Sequence, residues 1–307
     1  MAKVLIATEK PFAPKAVEEI KTIANQANYE IELLEKYESK DELLKAVADV
    51  HGLIIRSDKV DKEVIEAAKE LKIVVRAGAG YDNVDLEAAS ANNVVVMNTP
   101  GQNSNAVAEL ALGMMVLIAR GGYNGKAGSE LRGKTLGIHA YGNVGRYVAE
   151  IALGFNMDVC AYDPFVDKAT IEEDGVKALD SVEELYSTCQ YISLHIPSNE
   201  KTKKSIGADL LSKMPENGVL VNTARKEVIN EDEMLELMEK RSDFRYASDI
   251  APECKDVFAE KYEGRYFFTP KKMGAQTAEA NINAGIAAIN QIVGYIENND
   301  TTFQVNK

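Results

Sequence analysis

Residues 267–280 read FFTPKKMGAQTAEA and set two adjacent lysines, Lys271 and Lys272, between a proline and a glycine that opens a helix pattern. A primary amine so placed can give or take a proton if its surroundings bring its pKa toward neutrality. The three histidines of the chain, His51, His139 and His195, all lie elsewhere. A second pattern follows the apolar run TLGIHA. Ala140, Tyr141, Gly142, Asn143, Val144 and Gly145 carry the spacing of a dinucleotide fingerprint, whose glycines let backbone approach a pyrophosphate at a helix N-terminus. Ala140 stands where the first glycine is usual. A helix pattern, VGRYVAEIAL, follows, and Asp163, just before Pro164, closes the next apolar run. An acidic side chain there can accept both ribose hydroxyls and repels a 2'-phosphate. The plainer alternative is a glycine turn that packs helix on sheet, with Asp163 capping a turn. Cys160, Cys189 and Cys254 form no CxxC pair and are odd in number, so neither a disulfide framework nor a metal site is expected.

These groups need a scaffold, and the chain supplies β-branched runs alternating with helical patterns, the mark of βαβ units and parallel sheet. Residues 3–8, 52–57, 72–78 and 93–98 make one series of expected strands; residues 135–142, 157–163, 191–197, 218–224 and 245–250 make another. Between the series, residues 103–122 are too continuously apolar for a surface helix and read as a buried helix joining two domains. Ala278, Ile282, Ile286, Ile289, Ile292, Val293 and Ile296 recur at helical spacing and predict one long closing helix. The length of 307 residues accommodates two cores. With 46% hydrophobic and 27% charged residues the composition is that of a globular protein. A formal charge of -13 argues against nucleic-acid and membrane partners. The short apolar run near the N-terminus and the unpaired cysteines point to the cytoplasm.

The segments RAGAGYDNVDLEAA, NTPGQNSNAVAELALGMM, ELRGKTLGIHAYGNVGR, AYDPF, LHIPSNEKTK, LVNTAR and GAQTAEA run in order along nearly the whole chain. Together they resemble the D-isomer-specific 2-hydroxyacid dehydrogenases. The resemblance implies an α/β fold of two domains of doubly wound parallel sheet. A Rossmann NAD domain (residues 99–282) is inserted into a flavodoxin-like substrate domain (residues 1–98 and 283–307). It implies NAD as cofactor, held by Tyr141, Gly142, Asn143, Val144, Gly145, Asp163, Pro164, His195, Pro197, Thr223, Ala224, Asp249 and Gly274. Arg225 takes the place of the substrate-binding arginine, Asp249 of the carboxamide contact, and Glu253 of the glutamate that partners the catalytic base. Arg56, Ser57, Gly78, Ala79, Gly80 and Asn103 match substrate positions. The base itself is a histidine in the family; counting back from Gly274 puts Lys272 there, and counting forward from Pro270 puts Lys271 there.

The implied reaction is oxidation of a small phosphorylated hydroxy acid, D-3-phosphoglycerate, with glyoxylate or hydroxypyruvate as the alternative substrate and a homodimer as the expected assembly. The missing histidine raises a different reading, a non-catalytic NAD-binding sensor or scaffold. Lys226 and Glu227 replace two glycines usual after the arginine, residues 120–130 are shorter than in most relatives, and the chain stops after its closing helix, so a serine-binding regulatory domain is not expected.

Overall fold

The computed structural model describes residues 1–306. It divides into two units, Met1–Asn103 with Thr277–Lys307, and Ser104–Gln276. The boundaries expected from sequence, 98/99 and 282/283, therefore move to 103/104 and 276/277. The residues 278–282 open the closing helix, and a helix is not divided between cores.

In the first unit the strands are β1 (Lys3–Thr8), β2 (Glu30–Glu35), β3 (Gly52–Ile55), β4 (Ile73–Arg76) and β5 (Val95–Asn98), all parallel in the order β2-β1-β3-β4-β5. This is the flavodoxin-like order. The central strands are apolar through their interiors because both faces are covered, with Lys3, Thr8 and Arg76 only at strand ends. Leu5, Leu53, Ile55, Val74 and Val96 face one core, and Val4, Ile6, Ile54, Ile73 and Val75 face the other. The closing helix, Ala278–Asn298, packs on the second of these through Ala284, Ala288, Ile289 and Ile292, with Ile282 and Ile286 only half-buried. Its stripe is built around small residues, as at Gly285, where a Cβ would lie 3.0 Å from Ile20.

The second unit continues with β6 (Thr135–His139), β7 (Asp158–Tyr162), β8 (Lys177–Ala178), β9 (Tyr191–Leu194), β10 (Val219–Asn222), β11 (Arg245–Ser248) and β12 (Tyr266–Phe268). All are parallel in the order β12-β11-β10-β9-β6-β7-β8, a Rossmann sheet with one added strand. The strand order reverses between β6 and β9, and ligands bind outside the C-terminal strand ends at such a point. The apolar helix Ser104–Ala119, which follows directly on the first unit's Asn103, belongs to the second unit's core; Ala108, Ala111, Leu112 and Met115 pack with Leu136, Ile138 and Val221. No helix among the described residues is long and apolar enough to cross a membrane.

Candidate active site

At the end of β6 the chain turns through Ala140 at φ 80°, a left-handed conformation that favours glycine. The close approach downstream explains why the turn is kept. A Cβ on Gly145 would lie 2.5 Å from the Ala140 carbonyl oxygen, so the helix Asn143–Gly154 can abut the turn only with glycine there. Gly142 differs: it is the N-cap of that helix, no side chain caps it, and a Cβ would meet nothing within 4 Å. Free helix N–H groups beside open space suit an anionic ligand. The Asp163 carboxylate closes the loop, accepting from Tyr141 N and Phe165 N, each at 2.8 Å. The turn-capping role is therefore present, and each oxygen keeps a lone pair for a ribose hydroxyl.

The neighbouring strand ends converge on the same edge. His195 follows β9 and shares a 2.9 Å hydrogen bond between Nε2 and Ser193 Oγ, while His139 Nδ1 lies 3.2 Å from Tyr186 Oη. Burial pushes His195 down to about 3 and His139 to about 4, leaving both rings neutral and unsuited to supply protons near pH 7. Pro197 caps its own loop, accepting from Thr202 Oγ1 at 2.6 Å. After β10, buried Asn222 clamps the 223–225 turn from both sides: its amide donates to Arg225 O at 2.9 Å, and its carbonyl accepts from Ala224 N at 3.0 Å. Nothing in the sequence marked Asn222 as a positioning residue, because its role shows only in the fold. Thr223 Oγ1 is buried without a partner. The open Gly142, the free helix end and this orphaned hydroxyl fit a dinucleotide.

Arg225 and Lys272 meet at one atom. Arg225 Nη1 donates to Ala224 O at 3.0 Å and Lys272 Nζ donates to the same oxygen at 2.6 Å, so the two cations stand within two hydrogen-bond lengths of each other. The Lys272 loop is held by Asp249, which is 2% exposed and accepts from Thr269 Oγ1 at 2.9 Å, Met273 N at 2.7 Å and Gly274 N at 2.8 Å. The next residue, Ile250, sits at φ 129°, an outlier for a β-branched side chain and worth about 1–3 kcal/mol of local strain. Desolvation, then the Arg225 charge, lowers Lys272 from the ordinary 10.5 to about 8, against the opposing fields of Asp249 and Glu227. Because the side chain keeps solvent access, water screens part of this depression, and its direction is what the chemistry uses. Lys271 is exposed and takes no part in this cluster.

Glu253 is placed differently from its expected role as partner of the base. Its carboxylate is 81% exposed and pairs with Lys226 Nζ at 3.0 Å, which holds it below the usual carboxylate range. The Lys226 ammonium captures it on the neighbouring turn. The turn Lys226–Val228 is a short 3-10 helix that needs no left-handed residue.

The first unit holds its own cluster. Arg56 Nη1 donates to Lys10 O at 3.0 Å and Pro11 O at 3.1 Å, its other terminal nitrogen donates to Asn281, and the guanidinium lies over Phe12. Much of the fork is thus engaged within the fold. Ser57 is exposed beside buried Asp58, which accepts from Glu9 N, Tyr37 Oη and Arg56 N. Gly78 takes φ 150°, and a Cβ there would sit 1.5 Å from Arg76 Nη1. Gly78 is therefore crowded by an arginine that the sequence did not single out, Ala79 O accepts from Asn98 at 2.6 Å, and Gly80 follows on the same loop. Asn103, half-buried, ends this unit.

Comparison with known proteins agrees with this architecture. The D-isomer specific 2-hydroxyacid dehydrogenase catalytic-domain family matches residues 4–306. A hydroxypyruvate reductase of Thermotoga maritima is 36% identical over 282 residues, covering 86% of this chain and 90% of that protein. A D-3-phosphoglycerate dehydrogenase of Methanocaldococcus jannaschii is 35% identical over 276 residues, covering 83% of this chain; the match spans 51% of that longer protein. Among solved structures, an NAD+-bound 3-phosphoglycerate dehydrogenase of Entamoeba histolytica superposes with a TM-score of 0.87 at 47% identity, covering 100% of this chain and 99% of that one.

Proposed function

Because the chain belongs to the D-isomer specific 2-hydroxyacid dehydrogenase family, we propose that it oxidises D-3-phosphoglycerate with NAD, using Lys272 as general base and Arg225 as the carboxylate clamp. The observation that carries this reading is the convergence of both cations on Ala224 O. Such a pair gives a 2-hydroxy acid its two needs in one place. The guanidinium fork takes the carboxylate. The amine, lowered toward neutrality, accepts the hydroxyl proton. NAD, when bound, supplies the hydride acceptor. Gly142, the helix Asn143–Gly154 and Asp163 would hold it, and Asp249 keeps the Lys272 loop in position. A sensor or scaffold would need neither an amine of lowered pKa nor an arginine beside it.

The identity and coverage of the Entamoeba histolytica enzyme favour a phosphorylated substrate. The Thermotoga maritima relative supports hydroxypyruvate as the second reading. Steady-state NADH formation or consumption with 3-phosphoglycerate, D-glycerate, glyoxylate and hydroxypyruvate distinguishes them. We expect 3-phosphoglycerate to give the highest kcat/KM, and NAD to be preferred to NADP through Asp163. Equal efficiency with D-glycerate would remove the phosphate assignment, and equal use of the two cofactors would remove that of Asp163. A homodimer, open to sedimentation analysis, completes the proposal, and the three free thiols fit a reducing compartment such as the cytoplasm.

A further inference from the structure

The segment 121–129, GGYNGKAGS, is short and takes no part in the chemistry above. It is nevertheless firmly held. Ser129 N donates to Ala119 O at 2.8 Å, and a Cβ on Gly128 would lie 2.5 Å from that same oxygen. Beside this clamped loop opens a cavity of about 470 Å³. Lys134 lies just before β6, Gln190 just before β9, Asn217 just before β10, and Arg245 opens β11. These are the N-terminal strand ends, whereas the fingerprint, His195, Arg225 and Asp249 follow the C-terminal ends of the same strands. The cavity is thus on the opposite edge of the second unit's sheet.

Its lining is cationic, and the Asp243 carboxylate beside it, which accepts from Asn217 N at 2.7 Å, is already paired with Arg241. Lys126, Lys134 and Arg245 line it, and no carboxylate does. None of the three forms an ion pair with a described acidic residue. That is unexpected in a chain with 48 acidic against 35 basic residues. Arg265 stands near both Arg245 and Asp243, and its Nε and Nη2 donate to the backbone carbonyls of Phe244, Met238 and Arg241. Unpaired cations around a hollow focus a positive potential that the rest of the molecule opposes. The volume lies in the range of small-molecule sites, and Ile118, Ala119 and Tyr191 supply an apolar floor.

We propose that this cavity is a second ligand site, built for a small organic polyanion carrying phosphate or carboxylate groups. Arg245 offers a planar fork to one anionic group, and the two lysines supply point charges for others.

Calorimetric titration of the full chain, saturated with NADH so that the cofactor edge is taken, tests this with citrate and with pyrophosphate as probes. One bound anion per chain is expected beyond any held at Arg225, and the stronger probe identifies carboxylate or phosphate chemistry. The triple variant K126Q/K134Q/R245Q should weaken binding at least about tenfold, since it removes the charged donors on which an anion's affinity would rest. Lys126→Gln alone, on the exposed loop, should weaken it by a smaller factor with unchanged thermal midpoint and NADH affinity, which keeps the test valid if the triple variant misfolds. Arg225→Gln should leave it unaltered. The proposal fails if neither probe binds, or if the lysine and triple variants bind as tightly as the native chain. It fails equally if sedimentation shows that the substitutions change self-association in place of anion affinity, because the cations would then belong to a contact between copies.

Discussion

An ordinary lysine holds its proton to about pH 10.4, so a lysine base works only where its surroundings favour the neutral amine. Lys272 meets that condition through desolvation and the Arg225 charge, which bring it to about 8. The sign of the pH dependence follows. Oxidation needs the neutral amine, so its kcat/KM should rise as pH passes through about 8; that of keto reduction needs the ammonium and should fall over the same interval. A pH-rate profile in both directions checks this, and parallel limbs would exclude Lys272 as the titrating group. Lys272→Ala should lower kcat by about 10²- to 10⁴-fold, with KM for NAD little changed. Lys271→Ala should be near normal, because its exposed side chain lies outside the Ala224 cluster. Equal losses in the two variants would defeat the assignment. Counting from Gly274 pointed to Lys272, but the sequence could not reveal that Ala224 O gathers both cations, because a backbone acceptor leaves no residue-type signature.

At the scale of the element, the fingerprint turn separates two duties that the sequence gives to one residue type. Gly145 serves packing, so Gly145→Ala should cost about 1–3 kcal/mol through overpacking against Ala140 O. Gly142 serves the ligand: Gly142→Ala should leave the urea midpoint nearly unchanged while weakening NADH binding, since its Cβ would enter open space at the free helix end. Ala140→Gly exchanges about 1–2 kcal/mol of left-handed strain for about 0.4–1 kcal/mol of unfolded-chain entropy. It should stabilise slightly. Urea unfolding and NADH titration of the three variants separate these effects, and a Gly142→Ala variant that unfolds early would refute the division. Strand legibility followed burial. The runs at β1, β3, β4, β5, β6, β7, β9, β10 and β11 were readable because apolar residues concentrate in buried strands. β2, an edge strand reading EIELLE with three acidic residues, and the very short β8 and β12 gave no such pattern. In the closing helix the large residues marked the face, but Ala and Gly positions made the close contact.

At the scale of the whole molecule, the continuity of each core decides what can fold alone. Both apolar clusters of the second unit draw all their buried residues from 104–276. One cluster of the first unit depends on the distant closing helix, where Ala284, Ala288, Ile289 and Ile292 cover Ile6, Ile54 and Val75. Sequence periodicity foretold the helix but not its sheet, since pairing across so long an insertion carries no local signal. The fragment 104–276 should therefore unfold cooperatively and bind NADH with nearly the affinity of the full chain. A fragment of residues 1–103 should lack a cooperative transition, because one face of its sheet loses its cover. Within the full chain, Ile289→Ala, at a fully buried position, should cost about 2–5 kcal/mol. Loss should fall on the first unit, so hydrogen exchange should quicken in β1, β3 and β4 while β6, β9 and β10 stay protected. Uniform loss of protection across both sets of strands would show that the units unfold as one, and the autonomy argued from their separate cores would then be wrong.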